Sequence, residues 1–454
     1  MASWKLRVED YGKIESAEIE VAPLTLFVGD NNSGKSYLLS LLWGIEYFGI
    51  EGLIGDEFIE MEETNIFQDW LTKQVEIAIE NKENIVSLEE IYEALATIWN
   101  IAIDRNKDRF VQRIFNSEKA TIGKIAIQLE EYRNAKLCIK CNNYHGMIMF
   151  NIDKYSGREF GIPVKRFFEE KNNKKQNPVW FVLQSIYLSV ININIFANNY
   201  GNDEGVYLPA ARTGFMLTKS IINSVGRNIT FNILQDREEI TPFIRPINHF
   251  LDIMDSLSEE KKANVVTNGL VEFIEREMIN GSLKISSMPN KEVQYVPEGL
   301  DKQIPLRLTS AVVTEIAPLL LILKHKEYFK RFYYEEPEMC LHPQLQHSMG
   351  KVITRIVNSG CGMIATTHSD IILQHINNMI KLPNNQDKDE ICNKLGYSKE
   401  DFLSKEDVKV YQFGVMSNGK SVVNELSCGE DGFVVPTFNN ALDKIMNEAY
   451  EIQG

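Results

Sequence analysis

The chain has 454 residues, which at ~100–200 residues per domain is enough for two or three domains and a large buried core. Its 44% hydrophobic and 24% charged residues are ordinary globular composition and exclude a disordered chain, a collagen-like repeat and a small disulfide scaffold. The 48 Lys and Arg against 63 Asp and Glu leave a net charge of −15, which argues against coating nucleic acid by bulk charge but leaves a local basic groove open.

Six cysteines are too sparse for a disulfide framework. The first residues are charged throughout and lack the apolar centre of a secretory signal, so a cytoplasmic protein is expected. Residues 4–28 read as strands, WKLRVEDY, ESAEIEV and LTLFV, and a helical pattern follows from Lys35 to about Tyr47. From about 51 to 132 the chain is acidic and helical in period. Residues 134–153 read as a hairpin around NNYHG. Trp180 to Asn202 carries no charge, but Gln184, Ser185, Ser189, Asn192 and Asn194 interrupt it, so a buried helix-to-strand segment is expected there and not a membrane span. Residues 216–280 are helical and charged, with breaks near Pro242 and Pro246, and 283–300 return to short strands. Helix and strand then alternate: helix 310–329, strand 331–335, helix 343–358, strand 362–367, helix 369–379. A linker-like PNNQDKDE, a strand VKVYQF and a final helix near 437–450 close the pattern.

Gly29-Asp30-Asn31-Asn32-Ser33-Gly34-Lys35-Ser36 matches G-x-x-x-x-G-K-[ST] without deviation. An apolar strand precedes it and an amphipathic helix follows, which is the context this loop needs. Its backbone N–H groups would face phosphate oxygens, with the helix N-terminus adding partial positive charge. Lys35 would contact the β- and γ-phosphates of ATP, and Ser36 would offer its hydroxyl to Mg²⁺.

Arg331-Phe-Tyr-Tyr-Glu335-Glu336-Pro337-Glu338 reads as a short strand ending in carboxylates. Neighbouring strand residues point to opposite sides, so Glu335 can serve the metal while Glu336 faces the phosphate and orients water. Met363-Ile-Ala-Thr-Thr-His368 is an apolar strand ending in a histidine that could hydrogen-bond the γ-phosphate. Ser310 begins a helix, where its hydroxyl suits an N-cap or an external phosphate.

These four elements, in this order, resemble the ABC-type ATPase head of SMC proteins, SMC-like repair ATPases and the OLD family. NNSGKS, EEPExxLHP from Glu335 to Pro343, TTHSD, and Tyr207-Leu-Pro-Ala-Ala-Arg212 look like the OLD-like ATPases of bacterial anti-phage systems. Among these the chain looks most like the ATPase subunit of PARIS systems, with the Septu ATPase as the nearest rival. The resemblance implies an α/β fold: a P-loop NTPase of the ABC-type head, with a mixed sheet and a largely helical insertion. It places a discontinuous head at 1–50, 205–215 and 283–382, an insertion with a small hairpin at 51–204, a coiled-coil-like arm at 216–282 and an α/β extension at 383–454. It assigns Lys35 and Ser36 to nucleotide and Mg²⁺, Glu335 to the metal, Glu336 as catalytic carboxylate and His368 as switch. Ser310 becomes the signature residue, acting on ATP held by a second protomer, which implies homo-oligomers with ATP between heads.

Ala311 stands where such signatures usually carry glycine, and Glu335 replaces the commoner aspartate. Arg212 has two open readings, the glutamine-loop residue or a structural ion pair. Many OLD-family proteins also carry a TOPRIM nuclease site with a D-x-D after an apolar strand. Here Asp387-Lys388-Asp389 follows PNNQ and reads as a solvated linker, so a TOPRIM-type nuclease effector would be a separate protein. Cys138-Ile-Lys-Cys141 with His145 lacks a second ligand pair for zinc. The expected function is a slow regulatory ATPase in an anti-phage complex with a phage-encoded trigger. The alternative is an SMC-like ATPase that clamps DNA in repair, against which the short, proline-broken 216–280 segment speaks.

Overall fold

The computed structural model describes residues 5–54, 62–128, 135–142, 146–152, 160–169, 179, 181–183, 185–186, 205–218, 243–264, 266, 268–286, 292–436 and 446–452. They fall into two compact units, one formed by Ala22–Trp43, Ile114–Asn116 and Gly201–Gly454, the other by Met1–Val21, Gly44–Arg113 and Ser117–Tyr200.

The first of these units is built on a mixed sheet. The strand Leu24–Gly29 runs parallel to Gly362–Thr366 on one side and to Val408–Val415 on the other. Arg331–Glu335 runs parallel to Gly362–Thr366 and, on its far side, to Gly205–Leu208. Ser421–Leu426 adds antiparallel to Val408–Val415. Parallel strands covered on both faces must be apolar at consecutive positions, and Leu24–Gly29 and Gly362–Thr366 are buried at every residue. Leu24, Leu26 and Val28 are fully buried and each contributes ~1.5–3 kcal/mol relative to an exposed side chain.

Helices Ala311–His325, Pro343–Asn358 and Asp370–Lys381 share one apolar cluster with these strands. Their starts are legible locally. Ser369 accepts from the N–H of Ile372 at 3.1 Å, and Pro343 occupies a first-turn position where its missing N–H costs nothing. The register sets Glu335 opposite Thr366 and Thr366 opposite Phe27, so the carboxyl ends of three strands lie level. Open α/β sheets bind ligands at such an edge.

Three expectations change in this unit. The 383–454 extension is not separate, because Val408–Val415 hydrogen-bonds directly to the strand before the glycine loop. The PNNQDKDE stretch is not a plain linker: Asp387 precedes the helix Lys388–Leu395, none of whose residues is buried. The described part of the 216–282 arm contains two short helices, Arg245–Ser256 and Asn268–Glu277, each with an apolar stripe turned into the core. A helix with one wide apolar stripe packs on a core and does not project as an arm. Residues 219–242, 265 and 267 of that segment lie outside the described residues.

In the other unit Lys5–Tyr11 pairs antiparallel with Ile14–Glu20 and with Ile122–Gln128. Glu83–Ser87, Lys136–Asn142, Met147–Ile152 and Phe160–Pro163 form a four-stranded antiparallel sheet beside the helix Glu62–Asn81. The 51–132 segment is therefore not helical throughout. Its two strands, Glu83–Ser87 and Ile122–Gln128, are short and lack a clean apolar–polar alternation, and the long helix Tyr92–Phe115 between them dominates the period of the segment. The first long helix extends past Tyr47 to Ile54, with Gly49 outside helical geometry at φ 58°.

Among the described residues no helix is long and apolar enough to cross a membrane. Most of Trp180–Asn202, His145, and the first part of the final helix lie outside the described residues. Residues 446–452 are helical.

Candidate nucleotide-binding site

The glycine loop follows a buried strand and turns through backbone that only small residues enter easily. Gly29 has φ 124°, and a Cβ there would lie 2.3 Å from the carbonyl oxygen of Phe413. Gly34 has φ 100° and Asn32 φ 58°. The loop closes on Lys35. Its ammonium donates to the Gly29 carbonyl at 3.1 Å, to the Asp30 carbonyl at 2.6 Å and to Ser33 Oγ at 3.5 Å. Ser33 Oγ donates in turn to the Asp30 carbonyl at 2.7 Å. Burial pulls the Lys35 pKa down from 10.5 to about 8, against the opposing charges of Glu336, Asp30 and Glu338. Asp30, Asn31, Asn32 and Ser36 are exposed.

This arrangement suits a nucleotide phosphate. The first-turn N–H groups of the Lys35 helix have no intrahelical partner, and a desolvated ammonium gains most from an anion. The exposed Ser36 hydroxyl is free to face a Mg²⁺ ion beside the phosphates. When bound, MgATP would bring the γ-phosphorus as electrophile, with its charge partly neutralised by the metal.

Glu335 is buried at the end of its strand. Tyr207 Oη donates to its Oε1 at 2.8 Å and the Ala210 N–H to its Oε2 at 2.7 Å. Tyr207 Oη also lies 3.2 Å from Ser40 Oγ. Ser40 stands one helical turn, ~6 Å, beyond Ser36 on the same face. Tyr207 thus links the Glu335 carboxylate to the helix that Ser36 opens.

Glu336 leaves the strand with φ 42°, a left-handed conformation that costs a non-glycine residue on the order of 1–3 kcal/mol. Its N–H donates to Thr366 O at 3.0 Å and Thr366 Oγ1 at 3.2 Å. A tight turn follows, with the Met339 N–H on the Glu336 carbonyl at 3.0 Å. Glu338, noted in the sequence only as part of the acidic run, accepts from the His368 N–H at 2.5 Å and from Thr367 Oγ1 at 2.9 Å. Its burial pushes the carboxyl pKa up. The His368 pKa is lowered by burial first and then by the charge of Lys35, which favours the neutral ring.

The charges of Glu336, Asp30 and Glu338 therefore reach Lys35, and those of Lys35 and Asp30 reach His368. Ser310 is not brought to this group. It is exposed and caps its own helix, accepting from the Val313 N–H at 3.4 Å. With Thr309, Val312 and Tyr295 it borders a separate cavity of about 390 Å³. Arg212 is fully buried in an ion pair with Glu315 at 2.7 Å, which resolves its two readings in favour of the ion pair. Sequence reasoning missed Tyr207 and Ser40. The YLPAAR pattern marks the segment containing Tyr207, but no local signal links it to a carboxylate 128 residues away.

Among the described residues no group of three or more His, Cys, Asp and Glu is placed to hold a metal ion.

Three solved structures resemble the chain at low identity. The SMC head domain from Thermotoga maritima matches at 11% identity and TM-score 0.35, covering 94% of this chain and 100% of that one. An SMC head bound to the C-terminal winged-helix domain of ScpA matches at 12% and TM-score 0.36, covering 94% and 98%. An SMC head with an extended coiled coil, bound to the C-terminal domain of ScpA derived from Pyrococcus furiosus, matches at 12% and TM-score 0.33, covering 99% of each. No curated protein matches significantly. The family described as AAA ATPase domain matches residues 1–373. Most of the chain, including the loop, the acidic strand end and the histidine strand, lies within that match, and the chain belongs to the AAA ATPase domain family, whose activity is ATP hydrolysis.

Proposed function

We propose that this chain is the ATP-hydrolysing regulatory subunit of an anti-phage complex, with an ABC-type head that associates with a second copy across ATP. Lys35 and the loop amides bind the phosphates. Ser36, and Glu335 through water, hold Mg²⁺. Glu336 orients and deprotonates the attacking water, and His368 contacts the γ-phosphate. Head association controls a separate effector of the TOPRIM nuclease type, and a phage product triggers release.

The observation that carries this reading is the split of the site. Lys35, Glu336, Glu338 and His368 converge, while Ser310 stands exposed at a helix N-terminus beside the exposed Leu308. A site completed by a partner's Ser310 makes turnover depend on assembly, which gives nucleotide a two-state element to bias. The EEPExxLHP, TTHSD and YLPAAR segments support the defence assignment.

The test is a pull-down of tagged Glu336→Gln protein, expressed with its native neighbouring genes, in ATP and Mg²⁺. A stoichiometric nuclease-like partner on a multimeric ATPase is expected. Abundant DNA with no protein partner would replace this reading with a DNA-clamping ATPase.

A further inference from the structure

Arg212 is one of the largest fully buried side chains in the protein; its two terminal nitrogens reach backbone carbonyls and one acid, while its Nε has no hydrogen-bond partner among the described residues. Nη1 donates to the Pro209 carbonyl at 3.0 Å and the Glu335 carbonyl at 2.5 Å. Nη2 donates to the Glu336 carbonyl at 3.0 Å and pairs with Glu315 Oε1 at 2.7 Å. The guanidinium carbon lies 4.7 Å from the centre of the Tyr334 ring. Glu315 is itself fixed, because its Oε2 accepts from the Thr213 N–H at 3.1 Å and Thr213 Oγ1 at 2.7 Å.

Two carbonyls in a row at the end of the catalytic strand are therefore held by one rigid cation. The second belongs to Glu336, whose left-handed φ of 42° persists only where surroundings over-determine it. On the N–H side Thr366 holds the same residue, and on the carbonyl side Arg212 does. Glu315 anchors the guanidinium from the helix that Ser310 caps, five positions further along.

We infer that Arg212 is a positioning residue for hydrolysis: it clamps the carbonyls of Glu335 and Glu336, anchored by Glu315, and so aims the Glu336 carboxylate at the attacking water. The inference rests on Glu336 being the carboxylate that acts on that water. Arginine is required because only a planar fork reaches both carbonyls and the acid together. A lysine ammonium, with a single nitrogen, reaches fewer of them. The clamp acts through Glu336, so it governs turnover and leaves nucleotide affinity alone.

The experiment compares Arg212→Lys, the paired neutral Arg212→Met/Glu315→Leu, Glu336→Gln and Arg212→Lys/Glu336→Gln in the full chain. Folding, affinity for a fluorescent ATP analogue, and kcat with KM are measured for each. Arg212→Lys is expected to lower kcat ~10–100-fold, as displacement of a reacting group by about 1 Å does, with ATP affinity within about twofold of wild type. In the Glu336→Gln background Arg212→Lys should cost nothing more, because the two residues act in series. Wild-type turnover in a folded Arg212→Lys or Arg212→Met/Glu315→Leu protein overturns the inference. So do equal losses in affinity and kcat, additive losses in the double variant, or failure of both Arg212 variants to fold, each of which marks a structural role. Wild-type turnover in Glu336→Gln instead overturns the assignment of the water-activating carboxylate.

Discussion

The backbone N–H of His368 donates to Glu338 Oε1 at 2.5 Å, which ties the histidine strand to the turn after the acidic strand. Thr367 Oγ1 holds the other oxygen at 2.9 Å. The two residues come from neighbouring parallel strands, and this link sets where the imidazole sits relative to Glu336.

Glu338→Gln keeps one acceptor oxygen and leaves either the His368 N–H or Thr367 Oγ1 without its acceptor. A buried donor left unsatisfied costs ~1–3 kcal/mol, so stability is expected to fall by about that amount. Turnover is expected to fall about tenfold while ATP affinity stays near wild type. Calorimetry and steady-state kinetics check both, and an unchanged kcat would remove Glu338 from the site.

Lys35 carries a pH signature. Its folded pKa of about 8 lies below its ordinary 10.5, so between those values the unfolded chain binds more protons and folding without nucleotide becomes more favourable as pH rises. Lys35→Met should lack that rise, which denaturant titrations of both proteins at pH 8 and 10 would reveal. ATP restores the Lys35 charge, so binding at pH 8 should take up about half a proton, measured calorimetrically in buffers of different ionisation enthalpy. Lys35→Ala should weaken ATP binding by more than about tenfold, since it removes a charge-assisted contact. Normal affinity in that variant would sink the loop assignment.

Glu336→Gln should bind ATP as wild type does and hydrolyse it ~100–10,000-fold more slowly, the range that removing a general base occupies. ATP-loaded protein should then sediment as a larger species than wild type. Equal turnover in the two proteins refutes the role given to Glu336.

Ser310 separates capping from signature function. Ser310→Asp preserves the N-cap, because aspartate accepts from the first-turn N–H groups and suits the helix dipole. Stability should be unchanged or slightly higher. A carboxylate facing a partner's ATP should nevertheless lower kcat at least tenfold through like-charge repulsion, with affinity at the Lys35 loop retained. Wild-type kcat in this variant would mean that Ser310 is only a cap.

Local chemistry made the central elements readable before any fold was known. The apolar run Leu24–Val28 ending in Gly29, Pro343 opening a helix and Ser369 capping another are each decided within a few residues. The strand Ser421–Leu426 was not readable, because its partner Val408–Val415 supplies what its own pattern lacks. Tyr207 and Ser40 joining Glu335, and Arg212 clamping Glu335 and Glu336, were not readable either. By itself the sequence determined the glycine-rich loop between strand and helix and the identity of the acidic and histidine strand ends, because turns, caps and hydrophobic period are short-range. Only the tertiary structure decided which carboxylates lie beside Lys35, since strand order and register, not sequence spacing, set the distances between residues more than a hundred positions apart.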